Sequence, residues 1–176
     1  MNELAVKGEN GTLTSTDRSY IASEVSQLMS EIDRVKETTT FNEQSLLDGD
    51  FKRDLQVGAE STGGNKIRVE IESMGTSSLG KTTMKTSTLT TASLKNAAQV
   101  VSKFKNYGAK TAASKLAPAN EITASMFGSL NFWVKAALKD VSQQRSDLGA
   151  IQNRLEHTIN NLDNVVENTT SAESSI

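Results

Sequence analysis

Between Thr14 and Lys36 the apolar residues Ile21, Val25, Leu28, Met29, Ile32 and Val35 recur at steps of three and four, the spacing of one face of an amphipathic helix. Ser15, Thr16 and Asp17 stand at its start as candidate N-caps with a favourable first-turn charge. Upstream, Asn10-Gly11 is a turn signal, so residues 1 to 8 are expected to be the tail of an element that begins earlier. After Lys36 the helical period gives way to three threonines, then Phe41, Leu46 and Leu47, closing on Asp48-Gly49, which predicts an extended segment and a turn. Leu55 and Val57 alternate with Gln56 and Gly58. Beyond Gly63-Gly64-Asn65, Ile67, Val69 and Ile71 share one face, and Arg68, Glu70 and Glu72 the other. That period of two predicts a half-buried β-hairpin within residues 50–73. Residues 73–91 are rich in Ser, Thr and Gly and predict a long connection.

Leu94, Ala97, Val101, Phe104, Gly108, Ala112 and Leu116 predict a second amphipathic helix over 94–116, ended by Pro118 in a turn at 117–120, with Asn120 as the next cap. A third helix is predicted over 134–176. Val134, Leu138 and Val141 lead into Leu148, Leu155, Leu162, Thr169 and Ile176 at heptad spacing, with Ile151, Ile159, Val166 and Ala172 at the alternate steps. Such a helix extends roughly 65 Å at 1.5 Å per residue, so the expected molecule is an elongated, rod-like helical bundle, mainly α with a small β-hairpin region. Val101, Phe104, Leu148, Leu155 and Leu162 are the expected core-packing residues. Lys103 and Lys110 are expected to point outward.

Composition narrows the function. The 176 residues hold only 5% aromatic residues, so the core must be mainly aliphatic. A net charge of -2, with neither sign gathered into a run, gives no source for the counterion-release attraction to nucleic acid. No stretch reaches the ~20 apolar residues of a membrane span, and the N-terminus is not that of a secretory signal. Without cysteine there is no disulfide, thiolate metal site or thiol catalyst. The single histidine, His157, has no second histidine to complete a common metal site, and Asp147, Glu156, Asp163 and Glu167 belong to a solvated helix face. No catalytic residue, metal or cofactor is expected. Phe127, Phe132 and Trp133 fit core packing, with a grafted recognition surface as the alternative.

Two blocks of sequence carry a family resemblance. The run QRSDLGAIQNRLEHTINNLDNVVENTTSAES (144–174) resembles the C-terminal core helix of bacterial flagellin. NELAV (2–6), NGT (10–12), SEIDRV (30–35), TTTFN (38–42), SLLDG (45–49) and LQVGA (55–59) resemble its N-terminal core in the same order. The resemblance implies the rod-like core domain of the flagellar filament subunit: an N-terminal segment over 1–80, with helix 14–36 and hairpin 50–73, and a C-terminal helix over 134–176. Residues 81–140 match neither block. Lys7, Gly8 and Glu9 stand where the family usually has Gln and two small residues, Glu43 where Gly is usual, and Ser175 where Arg is usual. With the terminal helices and the outer domain of the family absent, these exchanges point to an engineered chain. In it, residues 94–116 are a surrogate for the family's first core helix or, as the alternative, 81–140 displays a grafted segment.

By the same resemblance the expected partners are neighbouring flagellin subunits and Toll-like receptor 5, with Leu4 and Glu24 matching receptor-contacting positions and receptor binding weakened. The family's place is the extracellular flagellum. The chain itself is expected to be a soluble monomer deficient in polymerisation.

Overall fold

The computed structural model describes residues 1–58, 63–80, 99–105 and 122–174. It is mainly helical: α1 (Asn2–Glu9), α2 (Ser15–Thr38) and a C-terminal helix, α3 (Ala124–Ser174), of 51 residues. At 1.5 Å per residue α3 alone spans about 75 Å, which makes the molecule a rod. Residues 99–105 are also helical. The remainder of the helix expected over 94–116, the turn at 117–120 with Pro118 and Asn120, Lys110, and Ser175 and Ile176 lie outside the described residues.

The start of α2 is set by a reciprocal cap. Thr14 Oγ1 accepts from the Asp17 backbone N–H at 3.2 Å, while the Asp17 carboxylate accepts from the Thr14 backbone at 3.1 Å and its hydroxyl at 2.6 Å. The cap is therefore Thr14, one residue before the expected candidates, and Asp17 is its acceptor rather than a cap itself. In the turn before it, Asn10 Oδ1 accepts from the Thr12 backbone and hydroxyl, and Arg18 donates to the carbonyls of Gly8 and Asn10. These bonds satisfy carbonyls left open at the end of α1 and hold α1 against α2.

Residues 40–45 form a tight hairpin where an extended segment was expected. Strands β1 (Thr40–Phe41) and β2 (Gln44–Ser45) pair Phe41 with Gln44 across two residues, Asn42 and Glu43, both at positive φ (49° and 61°). A two-residue turn with that sign at both positions is type I′, which matches strand twist but favours Asn-Gly. β3 (Lys52–Gln56) and β4 (Lys66–Glu70) form a second antiparallel pair in the register Asp54–Arg68 and Leu55–Ile67. Only Ile67 of this pair is buried, and Leu55 is exposed, so the ribbon lies on the bundle by one residue of β4. Gln144 of α3 fastens it, donating to the Glu70 carbonyl at 2.9 Å and accepting from the Glu72 N–H at 3.4 Å.

The core gathers at the N-terminal end of α3. Phe127, Leu130, Trp133, Val134, Ala136 and Ala137 meet Ala5 of α1, Ile21, Ala22, Val25 and Met29 of α2, and Val100, Val101 and Phe104. α3 begins ten residues before the expected Val134, because Met126, Phe127, Leu130, Trp133, Val134 and Ala137 continue the helical period upstream. The rings of Phe104 and Phe127 meet at 5.1 Å and 58°, a tilted geometry that suits aromatic quadrupoles. Gly8 sits directly under Phe127: a Cβ built there would lie 2.4 Å from its Cδ1. Phe132, by contrast, is exposed.

Candidate packing groove

Beside this core an apolar groove of about 750 Å³ runs along α3. Trp133, Val134, Ala137, Leu138, Val141 and Leu148 form its floor, Ile32 and Val35 of α2 form one wall, and Leu46, Leu47, Ile71, Met74 and Leu79 close it. Met1 stands at one end. Because Gly8 lies on Phe127 while Met1 borders the groove beside Trp133 and Val134, α1 runs antiparallel to α3, and its axis points into the groove.

Polar bonds hold the walls in place. Asp33 of α2 accepts from the Thr76 N–H and hydroxyl, each at 2.9 Å, and from the Lys105 ammonium at 2.5 Å. One carboxylate thus ties three separate segments together. Burial pushes the Asp33 carboxyl up, but the bonds from Lys105 and Thr76 outweigh it and leave its pKa below the ordinary value. The Ser26 hydroxyl donates to the Lys105 carbonyl at 3.2 Å, adding a second tie between α2 and residues 99–105. Trp133 Nε1 donates to the Leu79 carbonyl at 2.9 Å, and the Gly80 N–H donates to Asp140 at 2.8 Å. Lys36 pairs with Asp48 at 2.9 Å. That hydrogen bond raises the pKa of the amine and, with one from Ser45, lowers that of the acid.

The expected site residues fall at different depths. Val101 and Phe104 are buried, and Lys103 is exposed. Leu148 and Leu155 are half-buried, whereas Leu162 is 40% exposed. Among the described residues, no intramolecular seam reaches Leu162. The described part of the proposed surrogate helix meets α3 at Phe127, far from Leu155 and Leu162, and every described residue from 161 onward is exposed. Leu4 packs partly against the core, and Glu24 is on the solvent face of α2. His157, Asp147, Glu156, Asp163 and Glu167 are all exposed, and among the described residues no cluster of His, Asp and Glu could hold a metal ion. None of the described helices is long and apolar enough to cross a membrane. Of the groove's far wall, Leu46, Leu47 and Ile71 stand out in the sequence as apolar positions of the extended segment and hairpin, whereas Met74 and Leu79 are isolated apolar residues in a polar connection and give no sign of this role.

Family models match at both ends: the bacterial flagellin N-terminal helical region over residues 1–52 and the bacterial flagellin C-terminal helical region over 133–176. A flagellin of Bacillus subtilis is 38% identical over the whole of this chain and 57% of its own length. A flagellin of Clostridium tyrobutyricum is 31% identical, again over the whole of this chain and 67% of its own. The chain belongs to the flagellin family. Flagellins are structural proteins and not enzymes. The solved structure of FliC from Burkholderia pseudomallei shares the fold, with a TM-score of 0.56 at 20% identity over 87% of this chain and 91% of that one. This flagellin chain spans little more than half the length of the first relatives it matches, 57% and 52%.

Proposed function

We propose that the chain is a structural subunit of the flagellar filament, joined to other flagellin chains through the open surfaces of α3. The observation that carries this reading is the apolar stripe beyond the intramolecular core. Ile159, Leu162, Val165 and Val166 stand 40% to 62% exposed on one helix. A stripe of that length marks a protein-protein contact when it is found on a soluble surface. Family membership supports the same reading and an extracellular location. The test is co-sedimentation with filaments growing from full-length Bacillus subtilis flagellin. The chain should enter the pellet, and Val166→Asp, which puts a charge on the stripe, should return it to the supernatant. Equal exclusion of both proteins from the pellet would remove the reading.

A second reading concerns Toll-like receptor 5. It takes its support from the exposure of Glu24 and the half-exposure of Leu4, the positions that match receptor-contacting residues in the family. Binding to the receptor ectodomain should fall on Glu24→Ala, while Lys103→Ala leaves it unchanged. Identical binding by parent and Glu24→Ala would separate this residue from recognition.

A further inference from the structure

The sequence holds one Asn-Gly pair, Asn10-Gly11, and the fold places it in the exposed turn between α1 and α2. An asparagine followed by glycine carries a reaction of its own. Gly11 has no Cβ to shield its backbone nitrogen, and a Cβ built there would meet nothing within 4 Å. That nitrogen gives its proton to hydroxide and attacks the Asn10 Cγ. The new C–N bond closes a five-membered succinimide, and the side-chain nitrogen takes a proton from water and leaves as ammonia. Water then opens the ring. Cleavage of the bond at Cγ gives aspartate, and cleavage at the backbone carbonyl gives isoaspartate, with one extra methylene in the main chain. Either product adds a negative charge.

The folded turn opposes the first step. Ring closure needs the Asn10 Cβ and the Gly11 nitrogen on the same side of the Cα–C bond, which an L residue reaches only at strongly negative ψ. Asn10 has ψ 127°, so the two groups lie apart. Its Oδ1 accepts from the Thr12 backbone N–H at 3.2 Å and hydroxyl at 3.1 Å, which holds the side chain toward Thr12. Its carbonyl accepts from the Leu13 N–H at 3.4 Å and from Arg18 Nη2 at 3.2 Å. Turning ψ to the reactive sign swings that carbonyl away from both donors. Arg18 Nε also donates to the Gly8 carbonyl at 3.4 Å, so the side chain that fixes the turn also fixes the end of α1, where Gly8 lies against Phe127.

We propose that Asn10 is a self-deamidation site gated by the joint between α1 and α2: the closed turn keeps it an amide, opening of the joint admits the reaction, and the isoaspartyl product leaves α1 detached. Local opening is far faster than ring closure, so the rate of modification follows the fraction of chains in which the turn is open. The two products act differently on the joint. Aspartate offers Thr12 the same acceptor oxygen and leaves the main chain as it was, so the turn closes again. Isoaspartate routes the main chain through Cβ and Cγ, which lengthens the link between Gly8 and the Thr14 cap and removes the carbonyl that Leu13 and Arg18 share. Gly8 then loses the fixed approach to Phe127 that the close contact there demands.

Peptide mapping by mass spectrometry, on chain aged at mildly alkaline pH, reads the loss of the Asn10 amide. The native chain should deamidate at least about tenfold more slowly than the same chain held unfolded in guanidinium chloride. Arg18→Ala should raise the native rate about tenfold relative to its own unfolded rate, the shift expected when hydrogen bonds from a charged group are lost. Thr12→Ala, which deletes the hydroxyl donor and leaves the α2 cap in place, should raise it severalfold, and circular dichroism checks that each variant keeps its helices. Peptic peptides that carry residue 10 separate chromatographically into Asn, Asp and isoaspartyl forms. Hydrogen exchange before digestion therefore reads α1 in each form within one sample. Protection of α1 should match the parent in the Asp form and be lost in the isoaspartyl form. Equal rates in the native and unfolded chains would overturn the gate, as would native rates unchanged in both variants. Full protection of α1 in the isoaspartyl form would overturn its detachment.

Discussion

The seating of Phe127 over Gly8 tests the packing of α1 on α3. Gly8→Ala adds a Cβ at 2.4, 2.5 and 2.6 Å from Phe127 Cδ1, Cγ and Cε1, whereas carbon atoms pack optimally at about 3.5 to 4.0 Å. The ring has nowhere to go: Phe127 is fully buried and Phe104 lies against it at 5.1 Å. Overpacking of this kind costs about 1 to 3 kcal/mol, and a clash deeper than 1 Å belongs at the upper end. Against it stands the gain of replacing glycine in a helix, about 1 kcal/mol. The net expectation is a loss of about 1 to 2 kcal/mol, read as a drop of about 2 to 8 °C in the midpoint of thermal unfolding followed by circular dichroism. Gly149 is the control. It lies within α3 with nothing inside 4 Å of a built Cβ, so Gly149→Ala should keep the whole propensity gain and raise the midpoint. Shortening the ring with Phe127→Leu should relieve the clash, so the double variant with Gly8→Ala should be more stable than the two single changes add up to. If Gly8→Ala melted at or above the parent temperature, α1 would not pack as described.

Three further outcomes follow from the same structure. Glu43 holds φ at 61° in a type I′ turn, so Glu43→Gly should stabilise by about 0.5 to 1 kcal/mol in urea unfolding, and a neutral result would contradict the turn. Asp33 has a folded pKa below its ordinary value, so its stabilising contribution is present above the unfolded pKa and is lost as pH falls through about 4 toward the lower folded value. Asp33→Asn should flatten that part of the acid-unfolding curve, while Asp33→Ala, which leaves the buried Thr76 hydroxyl without its acceptor, should cost about 1 to 3 kcal/mol at neutral pH. Phe104→Asp buries an unpaired charge beside Phe127 and should unfold the bundle, whereas Lys103→Asp, on the exposed side of the same turn, should stay within about 0.5 kcal/mol of the parent by denaturant titration.

How much of this was legible beforehand depends on whether the information is local. The period of α2 and the heptads of α3 are local, because a helix turns by a constant angle and residues three and four apart must share a face. The alternation of Ile67, Val69 and Ile71 marks a strand for the same reason. The family resemblance, carried by the two terminal blocks, was equally present in the residues. What those patterns cannot state is how far a partner extends along a face. Leu148 and Leu162 are equivalent in the heptad, yet one is half-buried and the other exposed, because the described cover of α3 does not reach Leu162. The turn at Asn42-Glu43 escaped notice since its second residue is not the glycine that a type I′ turn favours, and its conformation is imposed by the pairing of Phe41 with Gln44. Gly8, in sequence merely a weak helix former, is the one residue small enough for Phe127 to lie on α1. Asp33, in sequence one more charge on a helix, binds segments 43 and 72 residues away, a meeting that only the folded chain brings about.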